Sequence, residues 1–228
     1  MQKTVKKRTR LIQTSGFEEA IKQYPKVLCP GMIEQDFQLR FPKAADKLYQ
    51  KWPTLHQTVT VFAEKNFPGW RQQLPWDCSF LDDEEIAFLA LPLVFQSRHK
   101  TKKGKGSSSI TSCVKSFIDI QPNLTSIDLY CEEIDAKARP QPFIVILWDL
   151  LQRTRQFFVL FERRPLPSPS LLKAIDTCFK LHYVFDLDYQ ADCVASWQFL
   201  QNIIFEMNST ASTEINTVKA FRAYYNSL

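Results

Sequence analysis

Cys178 and His182 stand four residues apart in a stretch of helical spacing, so both could face one metal ion. Two ligands do not complete a tetrahedral zinc site, and no C-x-x-C pair occurs to supply the rest. A core cysteine beside a partly buried histidine is the expected reading. Asp186, Asp188 and Asp192 copy positions 1, 3 and 7 of an EF-hand loop. Ala191 replaces the glycine that the loop's sharp turn needs, and Trp197 replaces its bidentate acid. These acids are expected at a helix start, where the backbone dipole favours negative charge. Gly104-Lys-Gly-Ser107 hints at a phosphate loop, but His99 stands where the first glycine belongs. His56, His99 and His182 are the only histidines, and none sits in a nucleophile motif. No catalytic, metal-binding or cofactor-binding residue is expected, and no cofactor.

Two basic runs are left as candidate contacts for an anion or a partner. One holds Lys6, Lys7, Arg8 and Arg10, and the other Arg98, Lys100, Lys102, Lys103 and Lys105. Each could meet a phosphate backbone or an acidic protein, or act as a localisation signal. Neither interleaves aromatic residues, which argues against base stacking as the mode.

Composition sets the frame for these candidates. The 228 residues are 45% hydrophobic and 23% charged, so wholesale disorder is excluded. No apolar run approaches the roughly 20 residues that span a bilayer, and no membrane association is expected. No apolar segment follows the basic N-terminus, which argues against a secretory signal. A cytoplasmic or nuclear protein is therefore expected, with Cys29, Cys78, Cys113, Cys131, Cys178 and Cys193 reduced.

The elements divide at the second basic run. Residues 1–110 carry 18 Lys or Arg against 11 Asp or Glu, a net +7, and the remainder carries −2. The reading is a basic flexible arm (1–15), a helical region (16–97), a basic Gly/Ser/Lys loop or linker (98–109), an α+β domain (110–207) and a tail (208–228). Helices are expected over Gly16–Tyr24, Ile33–Phe41, Ala44–Trp52, Thr54–Phe67 and Asp82–Val94, punctuated by prolines. Downstream, Val114–Ile120 reads as a strand and Ile127–Ala138 as a helix. Phe143–Trp148 is a wholly apolar strand covered on both faces, and Gln156–Phe161 is its antiparallel neighbour. Ser168 and Pro169 read as the cap and first residue of the next helix, with Leu171, Ala174, Ile175, Cys178, Phe179 and His182 inward. A long helix follows to Met207, and another is expected over Glu214–Tyr225. The fold class is α+β: a helical N-terminal half, then a small mixed three-stranded sheet in the order β-α-β-β-α-α, with a parallel crossover.

Four segments carry a family resemblance: YPKVLCPGMIEQDF at 24–37, Lys51-Trp52, LHYVFDLDY at 181–189 and WQFLQNIIF at 197–205. Together they resemble a region of vertebrate proteins, abundant in fish, described as sterile alpha motif domain-containing protein 3-like. The resemblance covers about residues 20–207 and leaves out the sterile alpha motif itself. It implies an intracellular protein acting through protein contacts and brings no catalytic residue with it. The arm and the 98–109 loop lie outside it.

The expectation is a non-enzymatic protein-interaction or scaffold domain with a protein partner. The alternative is a nucleic-acid-associated protein using the basic arm and loop, and a carboxylate-based hydrolase or nuclease ranks third.

Overall fold

The computed structural model describes residues 2–74, 77–95, 109–122, 126–135, 139–149, 153–207 and 214–228. The chain opens with helix α1 (Gln2–Gln23), broken at Gly16, whose φ of +84° is one that L side chains rarely adopt. The expected flexible arm is thus helical from residue 2. Val5, Arg8 and Ile12 recur at helical spacing and are buried, a face that the surrounding lysines mask in the sequence. Helix α2 (Met32–Arg40) follows, then α3 (Lys47–Asn66). The two helices expected on either side of Pro53 are one. Pro53 forgoes a single backbone bond, and the buried face of Leu48, Trp52, Leu55, Val59 and Phe62 outweighs it. Helix α4 (Asp83–Val94) starts with the capping box that its acids announce. Glu85 N–H donates to Asp82 at 2.8 Å and Asp82 N–H to Glu85 at 3.2 Å. It runs through Pro92 with every residue from Ile86 to Val94 buried.

Residues 96–108, and with them nearly all of the basic loop, lie outside the described residues. Ser109 caps helix α5 (Ile110–Phe117), which leads directly into strand β1 (Ile118–Pro122). The strand expected over Val114–Ile120 is therefore half helix. Ile110, Cys113, Val114 and Phe117 fall at i, i+3, i+4 and i+7, and a serine cap sits ahead of them. Helix α6 (Ile127–Glu133) connects β1 to β2 (Phe143–Asp149). The two strands pair in parallel, as the crossover rule predicts. Strand β3 (Thr154–Phe161) is antiparallel to β2, and a fourth strand, β4 (Arg164–Ser168), completes the order β1-β2-β3-β4. The sheet is thus four-stranded, not three-stranded. Pro165 and Pro167 are tolerated because β4 is an edge. The hairpin turns on Glu162 and Arg163 at φ +52° and +56°, a left-handed pair lacking the usual Asn-Gly signal.

Ser170, not Ser168, caps helix α7 (Leu171–Val184), because Ser168 and its neighbours are drawn into β4. The long helix expected up to Met207 is a short 3₁₀ turn, then α8 (Val194–Phe199), then a wider π-helical turn over Leu200–Ile204. Helix α9 (Asn216–Tyr225) closes the chain. One continuous core joins the two charge-divided halves. Trp52 stacks on Phe88 at 3.8 Å, and Phe95 stacks on Phe199 at 4.6 Å and meets Phe221 edge-on. The other face of the sheet has its own smaller core of Tyr130, Phe143, Val145, Leu147, Phe158 and Leu160 under α6. Strand β2 is buried on both faces, consistent with its unbroken apolar run. Among the described residues no helix is long and apolar enough to cross a membrane.

Candidate interaction groove

Helix α1 is fastened to α2 by one buried ion pair. The Arg8 guanidinium donates from Nε to the Asp36 carboxylate at 2.8 Å, and its terminal nitrogen closes the second arm of the fork. That pairing removes Arg8 from the candidate contacts, since the side chain is turned into the protein. Lys6, Lys7 and Arg10 stay exposed. Lys6 and Arg10, four residues apart, share a helix face, and that face lines a groove of about 520 Å³ between α1 and the end of α2. Arg98, Lys100, Lys102, Lys103 and Lys105 lie outside the described residues.

Across the groove stand Leu39, Arg40 and Phe41, which motif searching passed over. Leu39 is 39% exposed, an apolar side chain on the outer face of α2. Arg40 ends α2 and reaches the C-terminus of α7, donating to the carbonyl of Tyr183 at 2.6 Å and that of Val184 at 3.2 Å. These carbonyls lie at a helix end that lacks partners of its own, and a cation there is favoured by the dipole. Burial pushes the Arg40 pKa down, while Asp186 and Asp36 pull it the other way. The guanidinium also sits 5.2 Å from the centre of the Phe41 ring. A helical wheel of residues 32–40 shows Leu39 on the outer face, which is the one sequence signal that marks this wall.

The groove therefore has three cations, an apolar floor of Val5, Leu39 and Phe41, and no carboxylate in its lining. Asp36, the nearest acid on α2, is committed to Arg8. Such a surface attracts anions over a distance and offers apolar contact once they arrive.

Behind the groove a polar network ties α2 to α7. Lys173 Nζ lies 2.7 Å from Glu34, and the Thr177 hydroxyl donates to the same carboxylate at 2.6 Å. Burial raises the Glu34 pKa, but these contacts outweigh it and the carboxyl ends below its usual range. One turn on, Lys180 donates to Asp176 at 2.7 Å and to the Ala45 carbonyl at 2.8 Å, and the Tyr49 hydroxyl donates to Asp176 at 3.1 Å. Burial raises the Asp176 pKa, against the pull of Lys180. The aromatic side of the same contact is Phe37 against Phe179, Tyr183 and Phe205. The resemblance-bearing segments 24–37 and 181–205 thus pack on each other.

Among the described residues no three His, Cys, Asp or Glu side chains gather to hold an ion. His182 donates from Nδ1 to the Cys178 carbonyl at 2.9 Å, so the pair at i, i+4 is a core contact. Asp192 accepts from the Ser112 hydroxyl at 2.9 Å, while Asp186 and Asp188 are exposed. The six cysteines are free thiols, four of them buried. The chain matches no protein-family model, no curated protein and no solved structure.

Proposed function

We propose that this chain is a protein-interaction domain that takes an acidic segment carrying large apolar side chains into the groove between α1 and α2. One observation carries the reading: Lys6, Arg10 and Arg40 converge on an apolar strip containing Leu39, with no carboxylate among the lining residues. The buried Arg8–Asp36 pair and the Glu34–Lys173 contact hold α1, α2 and α7 as a preformed frame, which lowers the ordering cost of binding. The resemblance to the sterile alpha motif domain-containing protein 3-like region points to the same class of function. An intracellular setting agrees with six free thiols.

A nucleic acid is the less favoured partner. Phe41 already packs against Phe37 and Tyr183 beneath Arg40, so the groove offers bases no free aromatic platform.

The test is fluorescence anisotropy with a labelled peptide of alternating glutamate and leucine. Lys6→Glu with Arg10→Glu is expected to weaken binding by about tenfold or more, since each exposed charge contact is worth up to about 1 kcal/mol and reversal adds repulsion. Leu39→Ser is expected to weaken it by several-fold with unchanged salt dependence. Binding that survives both changes, or a DNA duplex bound more tightly and indifferent to Leu39→Ser, contradicts the proposal.

A further inference from the structure

The chain itself presents a segment with the chemistry that the α1–α2 groove asks for. Helix α6 turns Ile127, Tyr130 and Cys131 onto the smaller core, and Ile134 just past its end joins them. Asp128, Leu129, Glu132 and Glu133 are left on the opposite side, all exposed. Leu129 sits in the middle of that side, with Glu132 and Glu133 one turn on at i+3 and i+4. It is 52% exposed, an apolar side chain facing solvent among acids. No Lys or Arg occurs between residues 126 and 136. Among the described residues none of Asp128, Glu132 and Glu133 enters a salt bridge. Arg163 reaches the end of this helix, where it donates to the Ile134 carbonyl at 3.2 Å.

The groove is the counterpart in both respects, with Leu39 exposed among Lys6, Arg10 and Arg40 and no acid in the lining. The fold keeps the two surfaces apart within one chain. Ile144, Ile146, Phe157 and Val159 point into the core shared with α7, and α7 meets α2 through Phe179 against Phe37. Val145, Leu147, Phe158 and Leu160 point the other way, towards α6. The sheet and α7 therefore stand between α6 and the groove, and α6 can enter only the groove of another copy.

We infer that the occupant of the groove is helix α6 of a second copy of this chain. The inference rests on the reading of the groove as a site for an acidic, apolar segment, and it names that segment. Leu129 lies against Leu39 and Phe41, while Glu132 and Glu133 meet Lys6 and Arg10. A helix that is already folded avoids the ordering cost that a free peptide meets. Two different surfaces join, so the contact is heterologous. Each pair keeps one open groove and one open α6, and assembly proceeds head to tail.

Sedimentation equilibrium of the 228-residue chain, from micromolar to submillimolar concentration, tests this. The average mass is expected to rise with concentration and to fall back towards the monomer in high salt or with the glutamate–leucine peptide present. Two variants separate the surfaces: Leu129→Ser with Glu132→Gln and Glu133→Gln on α6, and Lys6→Glu with Arg10→Glu in the groove. Each alone is expected to weaken self-association at least about tenfold. Mixed together they are expected to associate again, stopping at one chain of each, since one supplies an intact groove and the other an intact α6. The α6 variant is expected to keep its melting temperature and its affinity for the glutamate–leucine peptide, because the three side chains are exposed and remote from the groove. A chain that stays monomeric throughout, self-association that either variant leaves unchanged, or a mixture that fails to associate overturns the inference. If the peptide still binds in that event, the groove reading stands and only its occupant is wrong; if the peptide does not bind either, both fall.

Discussion

Asp176→Ala is expected to cost about 3–5 kcal/mol of folding stability, the usual consequence of leaving a buried charge without its partner. Asp176 is 0% exposed and Lys180 is 3% exposed, so neither has water to fall back on. With the carboxylate gone, the Lys180 ammonium keeps only the Ala45 carbonyl, besides a distant ring contact with Phe37 at 5.4 Å. Lys173 loses a contact of 3.7 Å but keeps Glu34. Adding Lys180→Met removes the stranded charge and replaces it with an apolar chain of similar length. The double variant is therefore expected to be more stable than Asp176→Ala alone, despite carrying one more substitution. Urea unfolding of the wild type, both single variants and the double variant measures the coupling. Additive losses would mean that the two side chains do not act as a pair. The pair lies where α7 meets the turn before α3, beside the network that holds α2, so the single variant is also expected to loosen the groove wall at Leu39 and Arg40.

The second large effect concerns acid. Burial pushes the His182 pKa from 6.5 down to about 4, and the bond to Cys178 only partly offsets it. Above pH 6.5 the imidazole is neutral in both the folded and unfolded chain and contributes no pH dependence. As pH falls from 6.5 towards 4, the unfolded chain takes up a proton that the folded chain refuses. The native state is thus destabilised progressively, by about 3 kcal/mol in all. Glu34 and Glu214, both held below their usual range, lose stabilisation as pH falls through the carboxylate range, and Asp176, held above it, has the opposite sign. The effect of His182 is isolated by His182→Gln, whose stability is expected to fall less steeply between pH 6.5 and pH 4. Unfolding free energies measured by urea at several pH values in that window decide the matter. Parallel curves for wild type and variant would refute the assignment of a buried neutral histidine.

What the residues announced in advance, and what they hid, follows physical lines. The parallel β1–β2 pair, the antiparallel β2–β3 pair and the inward face of α7 were legible, because each rests on a hydrophobic period that tertiary contacts merely use. Strand β4 was not, because Pro165 and Pro167 speak against a strand wherever the position is not known to be an edge. The helical start of the chain was hidden by five cations over residues 3–10, whose charge says nothing about Val5 and Ile12 on the opposite face. Of the basic residues singled out for contact, Lys6 and Arg10 come together at the groove. Arg8 is spent on Asp36, and Lys7 is exposed but outside the lining. Sequence counts charges and cannot say which are already paired. Arg40 and Leu39 gain meaning only when α2 and α7 are packed side by side.

Whether an acidic partner segment lies between α1 and α2 is read from the amide shifts of the 228-residue chain as the glutamate–leucine peptide is added. A contiguous set of perturbed amides over Val5–Gln13 and Leu39–Phe41, shrinking as salt is raised, is expected. Shifts confined to another face of the protein, or none at all, would contradict it.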